Sequence, residues 1–226
     1  TDLSSTESIL LNWVVSPISA ITGIICVVLA AKGKINTFFW GITNCITYGY
    51  VAYKGGVYGD AIINIFYFLP LQFLGLTIWK KKMKNDGTVS SSLIKYPIRT
   101  IIGALLAWVA FSKLLENTDH FLSSAMKKSS TFYGAMPKGW GVFMDSFTEI
   151  GQFFGQWLLT IAKAEQWIFW ILVNVVSIIM WGFIIKADPT SLAYAVPTMI
   201  MWIGYLVNSI YGLILWVKRA KGGVDN

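Results

Sequence analysis

The sequence predicts an all-α polytopic membrane protein with seven transmembrane helices, arranged as two parallel three-helix repeats joined by a linker helix (3+1+3). Three observations predict it: the composition, a series of long uncharged segments, and two short motifs that each occur twice. Of the 226 residues, 55% are hydrophobic and 13% are charged, whereas soluble domains carry about 25% charged residues. So few charges leave little polar surface for a water-soluble fold.

Uncharged segments of roughly 20 residues are long enough to cross the hydrocarbon core as helices. Five such segments cover residues 8–31, 35–53, 61–79, 166–185 and 189–217. Two weaker segments, at 94–115 and 150–162, lie between the third and the fourth of these five segments. The first of these reaches spanning length if Arg99 and Lys113 extend their charged ends toward water. Counting both gives seven helices.

The net charge of +7 does not indicate a nucleic-acid partner, because the charges lie at the ends of the predicted spans. They predict orientation in a lipid bilayer through the positive-inside rule. With seven spans, 12 basic residues fall on one side and 6 on the other. The amino terminus is therefore expected outside and the carboxyl terminus in the cytoplasm. With one His and both cysteines (Cys26 and Cys45) inside predicted spans, we expect no cofactor, metal site or disulfide.

Two motifs recur in the same order. Trp40 and Asn44 are repeated 130 residues later as Trp170 and Asn174. The segment GLTIWKK at 75–81 is repeated as GLILWVK at 212–218. Both copies of the second motif end at basic residues, which predicts that the two halves cross the membrane in the same direction.

Two units of three helices can run parallel only if a further helix joins them. The predicted organisation is therefore a first repeat at 8–82, a linker helix at 94–115, an extracytoplasmic loop at 116–145 and a second repeat at 146–220. The long loop is either a lid over the outer mouth or a passive surface loop.

Amide and aromatic side chains share faces on several predicted spans, at spacings of three and four residues. A single amide often only joins two helices by a hydrogen bond, but the shared faces favour a site for a flat ligand with polar groups. The side chains are Trp40, Asn44 and Tyr48; Asn64, Phe68 and Gln72; Gln152 and Gln156; Trp167, Trp170, Asn174 and Ser177; and Trp202, Tyr205 and Asn208.

No Lys or Arg falls at the centre of a predicted span, so nothing there would neutralise a phosphate or carboxylate. The acidic residues fall near predicted span ends: Asp60, Asp145, Glu149, Glu165 and Asp188. Ion-coupled carriers usually need a carboxylate relay or a broken-helix ion site inside the membrane. The sequence therefore favours facilitated diffusion.

The chain resembles the PnuC family of bacterial vitamin transporters in FFWGITN, YGDAIINIFYFLPLQFLGLTIWKK, GQFFGQWLL and WIFWILVN. The resemblance implies a layout similar to SWEET sugar carriers and a place in the bacterial inner membrane. It implies import of nicotinamide riboside by uniport, with an intracellular nicotinamide riboside kinase trapping the product. It also suggests a homotrimer. Trp167, Trp170 and Asn174 match the family's site best, followed by Trp40, Asn44, Gln72, Phe68, Gln152 and Asn208.

Two alternative functions remain open at this point, and the sequence argues against two others. Thiamine or riboflavin transport is the nearest, since substrate choice within the family could depend on a few side chains. A SWEET-type sugar carrier would have the same helix arrangement, although an aromatic content of 15% favours a ring system. A retinal photoreceptor needs a Lys in the last span, and segment 189–217 has none. An intramembrane enzyme needs a catalytic dyad or metal site, which the spans lack.

Overall fold

The structure, a computed structural model, describes residues 10–54, 58–116, 133–187 and 192–222. These residues form seven helices and no strand, apart from two isolated bridges between loop residues. The chain divides into two compact units, Thr1–Ser90 with Thr160–Ala162, and Ser91–Leu159 with the remainder of the chain. The predicted all-helical class and the number of helices are confirmed.

The first unit holds three helices, of which the first and third each contain a π-helical turn. Each π-turn ends two residues before a proline, Pro17 in one helix and Pro70 in the other. A proline lacks the N–H for an i→i−4 bond and crowds the preceding turn, and the wider π-turn relieves both problems. The helices are α1 (Leu11–Val15 continued by Ser16–Ala31), α2 (Thr37–Lys54) and α3 (Tyr58–Ile63, Asn64–Phe68 and Leu69–Lys80).

The second unit is built on the other four helices. Its first helix begins at a proline, which suits the first helical position because that residue's N–H would be unpaired there. Leu115 is the one side chain of this helix that is buried among the described residues. The helices are α4 (Pro97–Glu116), α5 (Trp140–Thr160), α6 (Gln166–Ala187) and α7 (Leu192–Gly222).

Within the part of the chain that the structure describes, five helical segments are long and apolar enough to cross a membrane, and they include α4, which the sequence predicts only weakly. The fifth helix differs most from its prediction. It was expected at 150–162 but begins ten residues earlier, at Trp140. Asp145 and Glu149 interrupt the uncharged run, so a search for such runs misses the first half of this helix. Residues 117–132 of the predicted loop lie outside the described residues, as does Asp188.

The position of two carboxylates corrects the prediction that they lie at span ends. Asp145 and Glu149 are the sixth and tenth residues of α5, and they are 1% and 7% exposed. The side chains of Ser146 and Thr148 are buried beside them. The Tyr133 hydroxyl donates a 2.7 Å hydrogen bond to Asp145, and burial of a carboxyl group is costly without such a partner. α5 therefore carries a buried polar face within its first half.

The second repeated motif has the same local packing in each unit. In the first unit, Phe38 lies against Gly75 and meets Trp79 edge to face, with ring centroids 4.8 Å apart. In the second, Trp167 lies against Gly212, and its ring centroid is 6.0 Å from that of Trp216. In both, a glycine admits an aromatic ring against the helix backbone.

When the two units are compared by these contacts, the offset differs by one residue from the 130 residues of the first motif. If Phe38 corresponds to Trp167, the offset is 129 residues rather than 130, and the turn residues Gly33 (φ 65°) and Ala162 (φ 59°) also match at 129. Asn44 then corresponds to Val173, and Cys45 to Asn174. The two asparagines are one position out of register, and accordingly they contact different helices.

Candidate substrate-binding residues

Asn174, near the middle of α6, is 2% exposed and faces α7. Its Nδ2 donates a 3.0 Å hydrogen bond to Ser209 Oγ, whose hydroxyl donates in turn to the Tyr205 carbonyl at 2.8 Å. This chain of hydrogen bonds holds the amide in one orientation. The predicted list lacks Ser209, which could have been found from its position four residues after Tyr205 on the same helical face.

The two tryptophans predicted on α6 lie against different helices. Trp170 is half-buried and crosses α5 at Gly155, where a Cβ would lie 3.0 Å from Trp170 Cε2. Trp167 is 3% exposed and fills the space beside Gly212 and Trp216 on α7. The predicted stripe along α6 is therefore divided, with Trp170 toward α5, and Trp167 and Asn174 toward α7.

In the first unit, the predicted residues of α2 lie between its two neighbours. Asn44 is half-buried and donates from Nδ2 to the Ser19 carbonyl of α1 at 2.8 Å. Gln72 of α3 is 5% exposed and its side-chain amide lies directly against Gly41 of α2. Trp40 is half-buried beside that glycine. Gly41 lets the Gln72 amide approach the helix backbone closely, because any Cβ would collide with it.

The remaining predicted residues are half-buried: Phe68 on α3, Gln152 on α5 and Asn208 on α7. Gln152 lies one turn after the buried Glu149 and one turn before Gln156, so it continues the polar face of α5. The candidates thus lie on α2 and α3 in the first unit, and on α5, α6 and α7 in the second.

Among the described residues, Lys and Arg side chains in the helices lie near the ends of those helices: Lys54, Lys80, Arg99, Lys113, Lys186, Lys218, Arg219 and Lys221. The helix centres therefore offer amides, hydroxyls, aromatic rings and the two α5 carboxylates. Such a set can bind a neutral or cationic ring compound, and it lacks the cations that usually bind a phosphate. No group of three or more possible metal ligands occurs in the described part of the chain.

Comparison with known proteins agrees with this chemistry. The family model described as "Nicotinamide mononucleotide transporter" matches residues 13–218. The chain belongs to this family. Curated nicotinamide riboside transporters PnuC are similar to this chain at 31–32% identity, so the predicted resemblance to PnuC is confirmed. As a PnuC family member, the chain is a multi-pass membrane transporter and not an enzyme.

Individual PnuC proteins match over nearly all of this chain. Nicotinamide riboside transporter PnuC of Neisseria mucosa is 32% identical, over 93% of this chain and 74% of the relative. PnuC of Haemophilus influenzae is 31% identical, over 93% and 81%. The crystal structure of the vitamin B3 transporter PnuC matches with a TM-score of 0.66 and 29% identity, and it covers 95% of this chain and 86% of that one. The helical fold is therefore that of PnuC.

Proposed function

We propose that the protein imports nicotinamide riboside across the bacterial inner membrane by facilitated diffusion, and that a cytoplasmic nicotinamide riboside kinase traps it by phosphorylation. The observation that carries the substrate is the relationship to PnuC of Neisseria mucosa, a nicotinamide riboside transporter with 32% identity over 93% of this chain. The chemistry of the candidate residues supports the same substrate. Nicotinamide riboside combines a pyridinium cation with a carboxamide and a ribose.

Within the second unit, we propose that Trp170 and Asn174 bind the substrate directly. An aromatic face attracts a flat cation with roughly 0.5–2 kcal/mol. Asn174 already donates to Ser209, so its Oδ1 remains to accept from the substrate carboxamide or ribose. Gln152 and Asn208 are proposed to bind the polar groups of the ribose. Trp167, packed against Gly212, is proposed to position α6.

Within the first unit, Asn44, Gln72, Trp40 and Phe68 are proposed to contribute in the same way. Asn44 Nδ2 bonds to a backbone carbonyl of α1, so its oxygen is the atom proposed to face the substrate. Gln72 is 5% exposed and its amide carries both a donor and an acceptor, so it can form hydrogen bonds with polar groups of a substrate.

Charge supports a preference for the riboside over the mononucleotide. The described helix centres hold no Lys or Arg, and α5 holds the buried Asp145 and Glu149. Carboxyl oxygens can accept a hydrogen bond from the substrate carboxamide or ribose, and the absence of Lys and Arg from the described helix centres leaves a phosphate without a cationic partner. With this selectivity the protein would not carry the phosphorylated product back out, so phosphorylation would retain the vitamin in the cytoplasm.

The proposal is tested by calorimetry on the detergent-purified protein with nicotinamide riboside, its mononucleotide, thiamine, riboflavin and glucose. We expect binding of the riboside in the micromolar range or tighter, with the mononucleotide at least about a hundredfold weaker, as expected when a charged phosphate lacks a partner (about 3 kcal/mol). A signal for thiamine or riboflavin alone would change the vitamin, and equal binding of the mononucleotide would contradict the charge argument. Binding of glucose alone would favour a sugar carrier.

At zero membrane potential, uniport predicts that proteoliposomes bring the riboside to equal concentrations inside and outside, and no further. With the membrane potential held at zero, so that the charge of the pyridinium ring gains no electrical energy, neither a proton nor a sodium gradient is expected to cause net accumulation from equal concentrations. The measurement is uptake of labelled riboside with ionophore controls. Accumulation that is lost in Glu149→Gln but kept in Glu116→Gln would overturn uniport and identify the α5 carboxylate as the coupling site.

Topology and assembly are also proposed. The amino terminus lies outside and the carboxyl terminus inside, on the basis of the 12 to 6 distribution of basic residues. The organisation is two parallel repeats at 8–82 and 146–220, a linker helix at 94–115 and an extracytoplasmic loop at 116–145. The recurrence of the Gly75 and Gly212 packing supports the repeats. A homotrimer is the proposed assembly.

A further inference from the structure

A cavity of about 290 Å³ lies within the second unit, between α4, α5 and α6. Apolar side chains line it almost completely. Several of them are also exposed on the outer surface of the helices, including Ile101 (55%), Leu105 (49%) and Leu172 (46%). The cavity is therefore a groove that opens to the lipid side of the helices rather than an enclosed core void.

The groove exists because α4 is held to α5 mainly through one half of its length. Trp108 Nε1 donates to the Phe143 carbonyl at 3.1 Å, and the hydroxyls of Ser112 and Ser146 are 2.5 Å apart. These contacts lie in the second half of α4. The groove is lined mainly by its first half, from Pro97 to Leu105, where the small side chain of Ala104 leaves space, and Trp108 closes the lining.

Water is not a suitable occupant of this groove. Apolar cavities of this size stay dry and accept apolar molecules. Thr100, one of the two lining residues with a hydroxyl or carboxyl group, donates its hydroxyl to the Tyr96 carbonyl at 3.2 Å. In a bilayer the available apolar molecules are lipid chains, so an acyl chain is the occupant that fits the lining.

The end of the groove at which α4 begins carries the charges that would face a lipid headgroup. Lys95 and Arg99 are exposed and lie over the Tyr96 ring, at 5.4 Å and 4.7 Å from its centroid. The Lys163 Nζ donates to Ser92 Oγ at 2.8 Å. Together these three cations outnumber the one carboxylate in the lining.

That carboxylate is Glu165, whose Oε1 accepts the Ile94 N–H at 2.8 Å. Its Oε2 is buried and has no hydrogen-bond partner among the described residues. A buried oxygen in this state favours a ligand with a hydroxyl donor. Three cations with one unpaired carboxylate oxygen therefore fit a headgroup that has a phosphate and hydroxyl groups.

We propose that this groove is a binding site for phosphatidylglycerol. One acyl chain lies between α4, α5 and α6, the phosphate lies against Arg99 and Lys95, and a glycerol hydroxyl donates to Glu165 Oε2. The site is independent of the substrate, since it uses none of the proposed substrate-binding residues. It would stabilise α4 against the rest of the second unit.

The test is native mass spectrometry of the detergent-purified protein mixed with phosphatidylglycerol, phosphatidylethanolamine or phosphatidylcholine. We expect phosphatidylglycerol to be retained most strongly. Ala104→Trp, which fills the groove, should lose that retention at least tenfold, while Ala110→Trp, an exposed position on the same helix outside the groove, should keep it. Lys95→Ala with Arg99→Ala should weaken retention about fivefold for each cation removed and abolish the preference over phosphatidylcholine.

Three results would overturn the proposal. Equal retention of all three lipids by the unaltered protein would show that the charges play no part. Retention of phosphatidylglycerol by Ala104→Trp would place the lipid elsewhere. An oligomer without bound lipid that dissociates in Ala104→Trp, but not in Ala110→Trp, would assign the groove to a second copy of the chain. The surface variant at Lys95 and Arg99 keeps the test decisive if the tryptophan variant fails to fold.

Discussion

Trp170→Ala is expected to weaken the binding of nicotinamide riboside at least tenfold. Trp170 is half-buried and its ring lies against Gly155, so contact with α5 restricts its movement. A preorganised aromatic face binds a flat cation without losing further side-chain freedom. Loss of about 1.4 kcal/mol, within the usual range of a cation–π contact, corresponds to the tenfold effect. Calorimetry on the purified variant measures it.

Two further variants separate a binding role from a packing role. Trp170→Phe keeps an aromatic face and is expected to recover part of the affinity. Trp13→Ala removes a tryptophan that is 79% exposed on α1 and should leave the affinity unchanged. If Trp170→Ala binds the riboside as tightly as the unaltered protein, the ring contact is excluded. A loss of affinity matched by an equal loss in Trp13→Ala would instead indicate general damage.

The sequence predicts the helices well because crossing a hydrocarbon core imposes a minimum length of apolar residues. The five strongest segments and α4 all appear as helices close to their predicted bounds. α5 is the exception, and the reason is physical. Its first half buries Asp145, Ser146, Thr148 and Glu149 against protein rather than lipid, and hydropathy along the chain cannot distinguish a buried polar face from a solvated loop.

The candidate site was harder to predict because similar motifs differ in what they contact. Trp40 and Asn44 match Trp170 and Asn174 letter for letter. In the structure Asn44 bonds to α1, whereas Asn174 bonds to Ser209 of α7. A shift of one residue rotates a helical position by about 100°, which is enough to change its neighbouring helix. Sequence spacing reveals such faces only when the packing partners are known.

Trp167 is a second case in which sequence spacing does not predict the neighbouring helix. Its place in WIFWILVN, one turn before Trp170, predicts a shared role. The structure places it against α7, where its ring meets Gly212 and Trp216, just as Phe38 meets Gly75 in the first unit. The signal that predicts this role is the repeated glycine, since a glycine within an apolar helix often marks a close approach of another group.

Gly212→Ala is therefore expected to lower the stability of the protein strongly. The added Cβ would lie 2.6 Å from Trp167 Cε2 and 2.7 Å from two further atoms of the same ring. The ring is buried, with 3% of its side chain exposed, and it also contacts Trp216. Overpacking of this kind costs about 1–3 kcal/mol, or roughly 2–12 °C in melting temperature for a chain of this size. Thermal unfolding of the detergent-purified variant measures the change.

Gly204→Ala is the matched control, because it lies on the same helix and a Cβ there would meet nothing within 4 Å. Alanine favours the helix over glycine by about 1 kcal/mol, so this variant should be as stable as the unaltered protein or more so. Gly75→Ala should reproduce the Gly212→Ala effect in the first unit, since its Cβ would lie 2.6 Å from Phe38 Cζ. Equal stabilities of the Gly204 and Gly212 variants would contradict the glycine–aromatic packing. A lower melting temperature in both Gly75→Ala and Gly212→Ala, but not in Gly204→Ala, would indicate that the two units share the same glycine–aromatic packing.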